Sequence, residues 1–413
     1  MRRTLIAAAA AAASVLALGA TVLPTGASAA PESPAPAGYI VVLDDSAAAR
    51  SVAQVHTDRF GLDVDHVYSE ALQGYSATMT PATAALVEEL PGVDSVQRDT
   101  PVAATAQSTP TGIDRAEADA SPTAAIDGAD QRVDVDVAVI DTGVDLDHPD
   151  LNVNTSGAKN CTLFGIGSAD DDHGHGSHVA GTIGALDDTT GVVGMAPGAR
   201  IWPVKVLNAA GSGTTADVIC GIDYVTAHAD EIEVANMSLG GGGEDDGNCG
   251  ATNDDAQHAA ICAAVDAGVT FVVAAGNDSA DAAESTPAAY DEVITVSALA
   301  DFDGRPGGGA ASTCRSDQDD SFADFSNYGA DVDVIAPGVC IDSTSMRGGY
   351  ATLSGTSMAA PHVAGGAALY LATHPGATPA QVQDALQAAG SADWNDADDP
   401  DTTREPLLDV STY

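Results

Sequence analysis

Residues 137–151 read VAVIDTGVDLDHPDL, and this stretch decides the fold. The run Val137–Ile140 has the length and apolar character of a strand buried on both faces, and Asp141-Thr142-Gly143 closes it with a turn signal. Working outward, similar short runs recur at Ile201–Val206, Val234–Met237, Thr270–Ala275, Val293–Val296 and Val334–Ala336. Helix candidates such as Ala216–Ala227 and Ala256–Ala267 separate several of them. This alternation predicts a doubly wound α/β domain with a mainly parallel sheet. Functional side chains in such sheets gather at the carboxyl ends of strands, where Asp141 is well placed to orient a histidine.

Three further stretches hold residues suited to chemistry. Residues 169–182, ADDDHGHGSHVAGT, put His173, His175 and His178 at the glycine-rich entry to a small-residue helix. Read alone, they suit either a general base or, with Asp170, Asp171 and Asp172, a zinc site. Residues 353–371, LSGTSMAAPHVAGGAALYL, put Ser357 where small residues give way to an apolar run of helical length. The free amides and dipole of a helix N-terminus favour a developing anion there, and Pro361 lies about one turn in, where a helix tolerates it. An Ala/Gly-rich core helix with an ordinary N-cap serine fits the same residues. Finally, Ala274-Ala275-Gly276-Asn277 follows a buried strand.

The chain has 413 residues with 60 acidic and 14 basic side chains, a formal net charge of −46, and Lys159 and Lys205 as its only lysines. That balance argues against nucleic acid and anionic membranes as partners. A hydrophobic fraction of 45% excludes general disorder. Arg2 and Arg3, the apolar stretch Leu5–Leu18 and the small residues Ala27-Ser28-Ala29 read as a secretory signal over residues 1–29. Beyond it, nothing is long and apolar enough to span a membrane. Six cysteines in such a context suggest disulfides; proximity in sequence favours Cys249–Cys262 and Cys314–Cys340, leaving Cys161–Cys220.

Between the leader and about residue 100 the pattern is strand, helix, two strands, helix, strand (Tyr39–Leu43, Ala47–Phe60, Val64–Tyr68, Gly74–Met79, Pro81–Leu90, Val93–Gln97), compatible with a small ferredoxin-like α+β unit. Residues 100–109 form a polar linker of small residues with the look of a cleavage site.

The segments VAVIDTGVDLDHPDL, HGHGSHVAGT and SGTSMAAPHVAGG resemble the three catalytic blocks of the subtilisin family of serine proteases, in the order Asp, His, Ser that subtilisin shows. The resemblance implies Asp141 as the orienting acid, His175 as general base, Ser357 as nucleophile and Asn277 as oxyanion donor. Gly211-Ser212-Gly213 and Ser238-Leu239-Gly240 resemble the edges that pair with an extended substrate, and Ala274 and Gly276 the walls of the adjoining specificity pocket. The acidic loop Leu186–Val192, which breaks the helix starting near His175, is similar to the family's calcium loop. It implies a structural Ca²⁺ held by the side chains of Gln107, Asp150 and Asp188 and the carbonyls of Leu186, Thr190 and Val192. The N-terminal unit resembles the family's propeptide. The implied organisation is a signal peptide (1–29), an inhibitory propeptide (30–105) and a catalytic domain (106–413). The chain would then be a secreted, self-processed, monomeric endopeptidase whose partners are peptide substrates and its own propeptide. A catalytically silent binding protein on the same fold is the alternative.

Overall fold

The computed structural model describes residues 36–44, 46–99, 107–401 and 403–413. The leader expected over residues 1–29 and the linker residues 100–106 lie outside them. The chain divides into two compact units, residues 1–103 and 104–413.

In the first unit, β1 (Ala37–Leu43), α1 (Ala49–Phe60), β2 (Asp63–Tyr68), β3 (Gly74–Met79), α2 (Pro81–Glu88) and β4 (Val93–Arg98) follow the expected order. The strands pair antiparallel in the order β2-β3-β1-β4, which is the ferredoxin-like arrangement. Thr80 caps α2 by accepting from the Thr83 amide, with Pro81 just inside the helix start. Val41, Leu43, Tyr75, Ala77 and Val87 make a small core beneath the helices.

The second unit is built on six parallel strands: β5 (Asp136–Asp141), β6 (Arg200–Lys205), β7 (Val234–Met237), β8 (Thr270–Ala274), β9 (Ile294–Ala300) and β10 (Val334–Pro337). They lie in the order β6-β5-β7-β8-β9-β10, with Lys159–Asn160 beside β6 and the antiparallel Ser321–Phe322 on β9. Strand side chains alternate, so β5 feeds two cores. Val137 and Val139 pack with α3 (His175–Gly184) and α6 (Thr356–Thr373). Ala138 and Ile140 pack on the other side with α4 (Thr215–Thr226) and α5 (Ala256–Asp266). Because the strand order reverses between β5 and β7, their carboxyl ends open a crevice at the switch point.

Among the elements that went unread in the sequence are the hairpin β11 (Ile341–Ser345) and β12 (Gly349–Leu353), and the C-terminal helix α7 (Pro379–Ala389). The helix has a reciprocal capping box between Thr378 and Gln381. The expected helix break is present in an informative form. Helix α3 stops at Gly184, and after the acidic loop the amides of Gly194, Met195, Ala196 and Gly198 return to the carbonyls of Ala185, Thr182, Ile183 and Gly184. The loop is thus an insertion whose exit satisfies the orphan carbonyls of the helix end. Disulfides join Cys161–Cys220, Cys249–Cys262 and Cys314–Cys340, the pairs favoured by sequence proximity.

Helix α6 is buried on nearly every side, which explains its small residues. A Cβ on Gly365 would lie 2.3 Å from Met195 Cβ and 3.2 Å from the Ile183 carbonyl. Gly365→Ala is therefore expected to destabilise the domain by about 1–3 kcal/mol through overpacking; urea unfolding of the substituted chain checks this.

Candidate active site

Asp141 ends β5 at the switch point with no solvent exposure. An isolated charge there is untenable, and it is met on two sides. The Thr142 amide donates to Oδ1 at 2.6 Å, and His175 Nδ1 lies 2.8 Å from Oδ1 and 2.9 Å from Oδ2. That contact puts the proton of a neutral imidazole on Nδ1 and leaves Nε2 as an acceptor. Burial works against the imidazolium of His175, but the charge and hydrogen bond of Asp141 outweigh it and hold the pKa above the ordinary 6.5.

His175 is the first residue of α3, and its approach is fixed by a buried group, Asp171, that the sequence offered only as a candidate zinc ligand. Asp171 accepts from the amides of His173, Gly174 and Ser177 and from the hydroxyls of Thr142 and Ser177. A carboxylate just ahead of a helix was the available signal. Gly176 must be glycine, because a Cβ there would lie 2.0 Å from the Gly143 carbonyl. Buried Lys205 donates to the Thr142 carbonyl and to Asp172, binding the loop to the end of β6. His178 is turned away: its Nε2 donates to the carbonyls of Ile341 and Ala351 at 3.0 Å each, and burial pushes its pKa down to about 4. The three imidazoles make no metal cluster among the described residues.

Ser357 is the second residue of α6, partly exposed. Pro361 has no N–H to offer the carbonyl four residues back, which is that of Ser357. That carbonyl instead accepts from Ser238 Oγ at 2.8 Å, and Ser238 Oγ accepts from Asn236 Nδ2 at 2.9 Å. Ser357 Oγ donates to the Ser238 carbonyl at 3.3 Å; among the described residues it has no hydrogen bond to His175, a looseness common in substrate-free sites. Beyond β8, Asn277 is held by its oxygen: Oδ1 accepts from the Thr356 amide at 2.8 Å and hydroxyl at 3.1 Å. Its Nδ2 and the Ser357 amide form no hydrogen bond among the described residues. Gly276 (φ +111°) presses against the Asn327 side chain, which accepts from the amides of Asp278 and Ala280. Asn327 had no local signal in the sequence; only the fold brings it here.

Two adjoining hollows border these groups. One, of about 600 Å³, is lined by His175, Gly211, Ser212, Gly213, Ser238, Leu239 and Gly240. The other, of about 500 Å³, is lined by Leu239, Gly240, Ala274, Gly276, Asn277, Glu284, Ser285 and Ser357. A histidine paired to a buried carboxylate, a partly exposed hydroxyl on the adjoining hollow and N–H donors without a partner among the described residues are together suited to acyl transfer.

The comparisons with known proteins agree. The subtilase family model matches residues 133–403, and the peptidase inhibitor I9 model matches residues 38–105. The chain belongs to the subtilase family. It is 38% identical to subtilisin NAT of Bacillus subtilis subsp. natto over 319 residues, covering 76% of this chain and 75% of that one. To an extracellular serine proteinase of Thermus sp. it is 39% identical over 334 residues, covering 79% and 73%. Among solved structures it resembles a cold adapted subtilisin-like serine proteinase at 34% identity and a TM-score of 0.53, covering 73% of this chain and 97% of that one. This subtilase is a serine endopeptidase made as a pro-form, with an inhibitor module ahead of the protease domain. The silent alternative finds no support in these likenesses.

The acidic loop of the subtilase, Leu186–Val192, meets the side chains of Gln107 and Asp150. Gln107 Nε2 donates to the carbonyls of Leu186 at 2.6 Å and Val192 at 3.2 Å. Asp150 is buried; Oδ2 accepts from the Val192 amide and Tyr350 hydroxyl, while Oδ1 has no hydrogen-bond partner among the described residues. Burial pushes its pKa up to about 6. Asp188 Oδ1 instead accepts from Thr189 and Thr190 in its own loop.

The His175 pKa has a definite sign. Its contribution to stability is fully present below the unfolded value of about 6.5 and is lost as pH rises through the folded value. An NMR titration should place His175 above 6.5, and Asp141→Asn should lower it, since burial then acts without the opposing charge. An unchanged value in the variant would contradict this account.

Proposed function

We propose that Ser357 is the nucleophile of this endopeptidase, His175 its general base, Asp141 the orienting acid and Asn277 an oxyanion donor. The observation that carries the reading is the buried Asp141–His175 pair at 2.8 Å, which leaves Nε2 free at a crevice bordered by the Ser357 helix. In this reading His175 Nε2 takes the hydroxyl proton as Ser357 Oγ attacks the scissile carbonyl. Asp141 stabilises the imidazolium that results. Negative charge then builds on the carbonyl oxygen, facing the Asn277 amide and the backbone N–H of Ser357. A single such donor is worth about 10²–10³ in turnover. His175 returns its proton to the leaving amine, and water releases the acyl group by the reverse sequence.

An extended substrate would lie along Gly211-Ser212-Gly213 and Ser238-Leu239-Gly240, whose glycines admit a second backbone. The side chain before the scissile bond would enter the hollow walled by Ala274 and Gly276. Ca²⁺ would be held at Gln107, Asp150 and Asp188 and at the carbonyls of Leu186, Thr190 and Val192. The unpartnered buried Oδ1 of Asp150 and the converging carbonyls suit an oxygen-seeking cation, which when bound would add stability by mass action. The proposed organisation is a leader (1–29), a propeptide (30–105) that acts as the chain's own inhibitor, and a monomeric catalytic domain (106–413). Export is supported by three disulfides and by the extracellular relative. No helix among the described residues is long and apolar enough to cross a membrane.

Ser357→Ala should leave the chain folded but unprocessed and inert toward casein; a variant that processes itself like the parent would remove Ser357 from this role. Chelation by EDTA should lower the thermal midpoint well before it lowers initial rates, and an unchanged midpoint would rule out the calcium loop.

A further inference from the structure

Away from the catalytic crevice, one buried side chain turns an unpartnered nitrogen toward two carboxylates among the described residues. His258, in the first turn of α5, has no solvent exposure. Its ring stacks on Tyr290 with centroids 4.0 Å apart and planes 4° from parallel, and the Tyr290 hydroxyl is tied to Asp255 at 2.6 Å. Nε2 lies 2.8 Å from Glu292 Oε2 and donates its proton there. A neutral imidazole has one N–H, so Nδ1 then offers a lone pair. Among the described residues Nδ1 has no hydrogen-bond partner, and what it faces is anionic: Asp245 Oδ1 at 3.4 Å and Asp246 Oδ1 at 3.6 Å.

A lone pair turned toward two carboxylates is repelled by them, and a cation placed between them removes the repulsion. The separations are too long for hydrogen bonds. They lie close to the spacing of about 3.3–3.4 Å between neighbouring ligand atoms of a tetrahedral zinc. The imidazole nitrogen among the donors favours such a metal over Ca²⁺, which takes oxygen ligands. The remaining features are those of a metal centre. Glu292 orients the far side of the imidazole, as a carboxylate behind a ligating histidine does. The Gly247 amide fixes Asp245, and the amides of Asn248 and Gly250 fix Asp246. Cys249–Cys262 ties the acidic loop to the helix that carries His258.

We propose that His258 Nδ1, Asp245 and Asp246 form a binding site for a divalent cation of the zinc type, with Glu292 as the group that orients the histidine. The Asp245 side chain is 16% exposed, so water can complete the coordination. The loop begins beside Gly241–Gly242, which pair with Ser285–Thr286 and line both substrate hollows. A bound cation fastens this edge of the groove.

The test uses the full chain carrying Ser357→Ala, which removes self-digestion, in excess Ca²⁺ so that the calcium loop is saturated. Calorimetric titration with Zn²⁺ should reveal a site that Asp245→Asn weakens at least about tenfold and Glu292→Gln about 10–100-fold. Crystals soaked in Zn²⁺ should show anomalous density about 2.0–2.2 Å from His258 Nδ1 and from both aspartates. Both variants alter partly exposed side chains, and matching metal-free melting curves confirm that they fold. Absent density at His258, or an affinity unchanged in both variants, overturns the proposal and leaves His258 as an imidazolium among three carboxylates. Because the readout is binding alone, its outcome is separate from the fate of Ser357 as nucleophile.

Discussion

A carboxylate without solvent exposure at the end of a central strand is the constraint on which the rest of this site depends. Asp141 is tolerable there only because His175 and the Thr142 amide answer it. To hold the imidazole, the chain must deliver His175 to the start of α3 at one angle. The buried Asp171, the close approach of Gly176 to the Gly143 carbonyl and the grip of Lys205 all serve that delivery. The cost of a buried charge becomes geometric precision, because a misplaced partner would leave an unpaired anion in the core.

Ser357 is fixed by a different logic, in which a missing hydrogen bond is used. Pro361 cannot occupy the Ser357 carbonyl, and Ser238 takes the vacancy. One serine thus links the segment after β7 to the helix that carries the hydroxyl. Thr356, next to it, holds both Asn277 and Gly276 through its amide and hydroxyl. The ends of β5, β7 and β8 and the start of α6 are in this way fastened to one another at the switch point of the sheet.

Much of the fold was legible because its signals are local. Runs buried on both faces predict parallel strands, and each of the six proposed for the second unit is present with ends shifted by a few residues at most. The break after α3 was legible from its acidic loop, although the return of the chain to the carbonyls of α3 was not. The hairpin β11–β12 escaped notice because alternating polar and small residues such as Ser343, Thr344 and Thr352 lack an apolar period. Asn327 and Thr356 escaped because a side chain that supports another across the fold leaves no mark at its own position.

By itself the sequence determined the strand and helix pattern, the family and the side chains proposed to react, since these rest on periodicity, composition and short contiguous motifs. Tertiary structure alone decided that His178 serves two backbone carbonyls while His175 meets Asp141, that Asn327 backs the turn at Gly276, and that His258 faces two aspartates. These depend on distances between residues remote in the chain, and the energy of a buried polar group is set by the partners the fold brings to it.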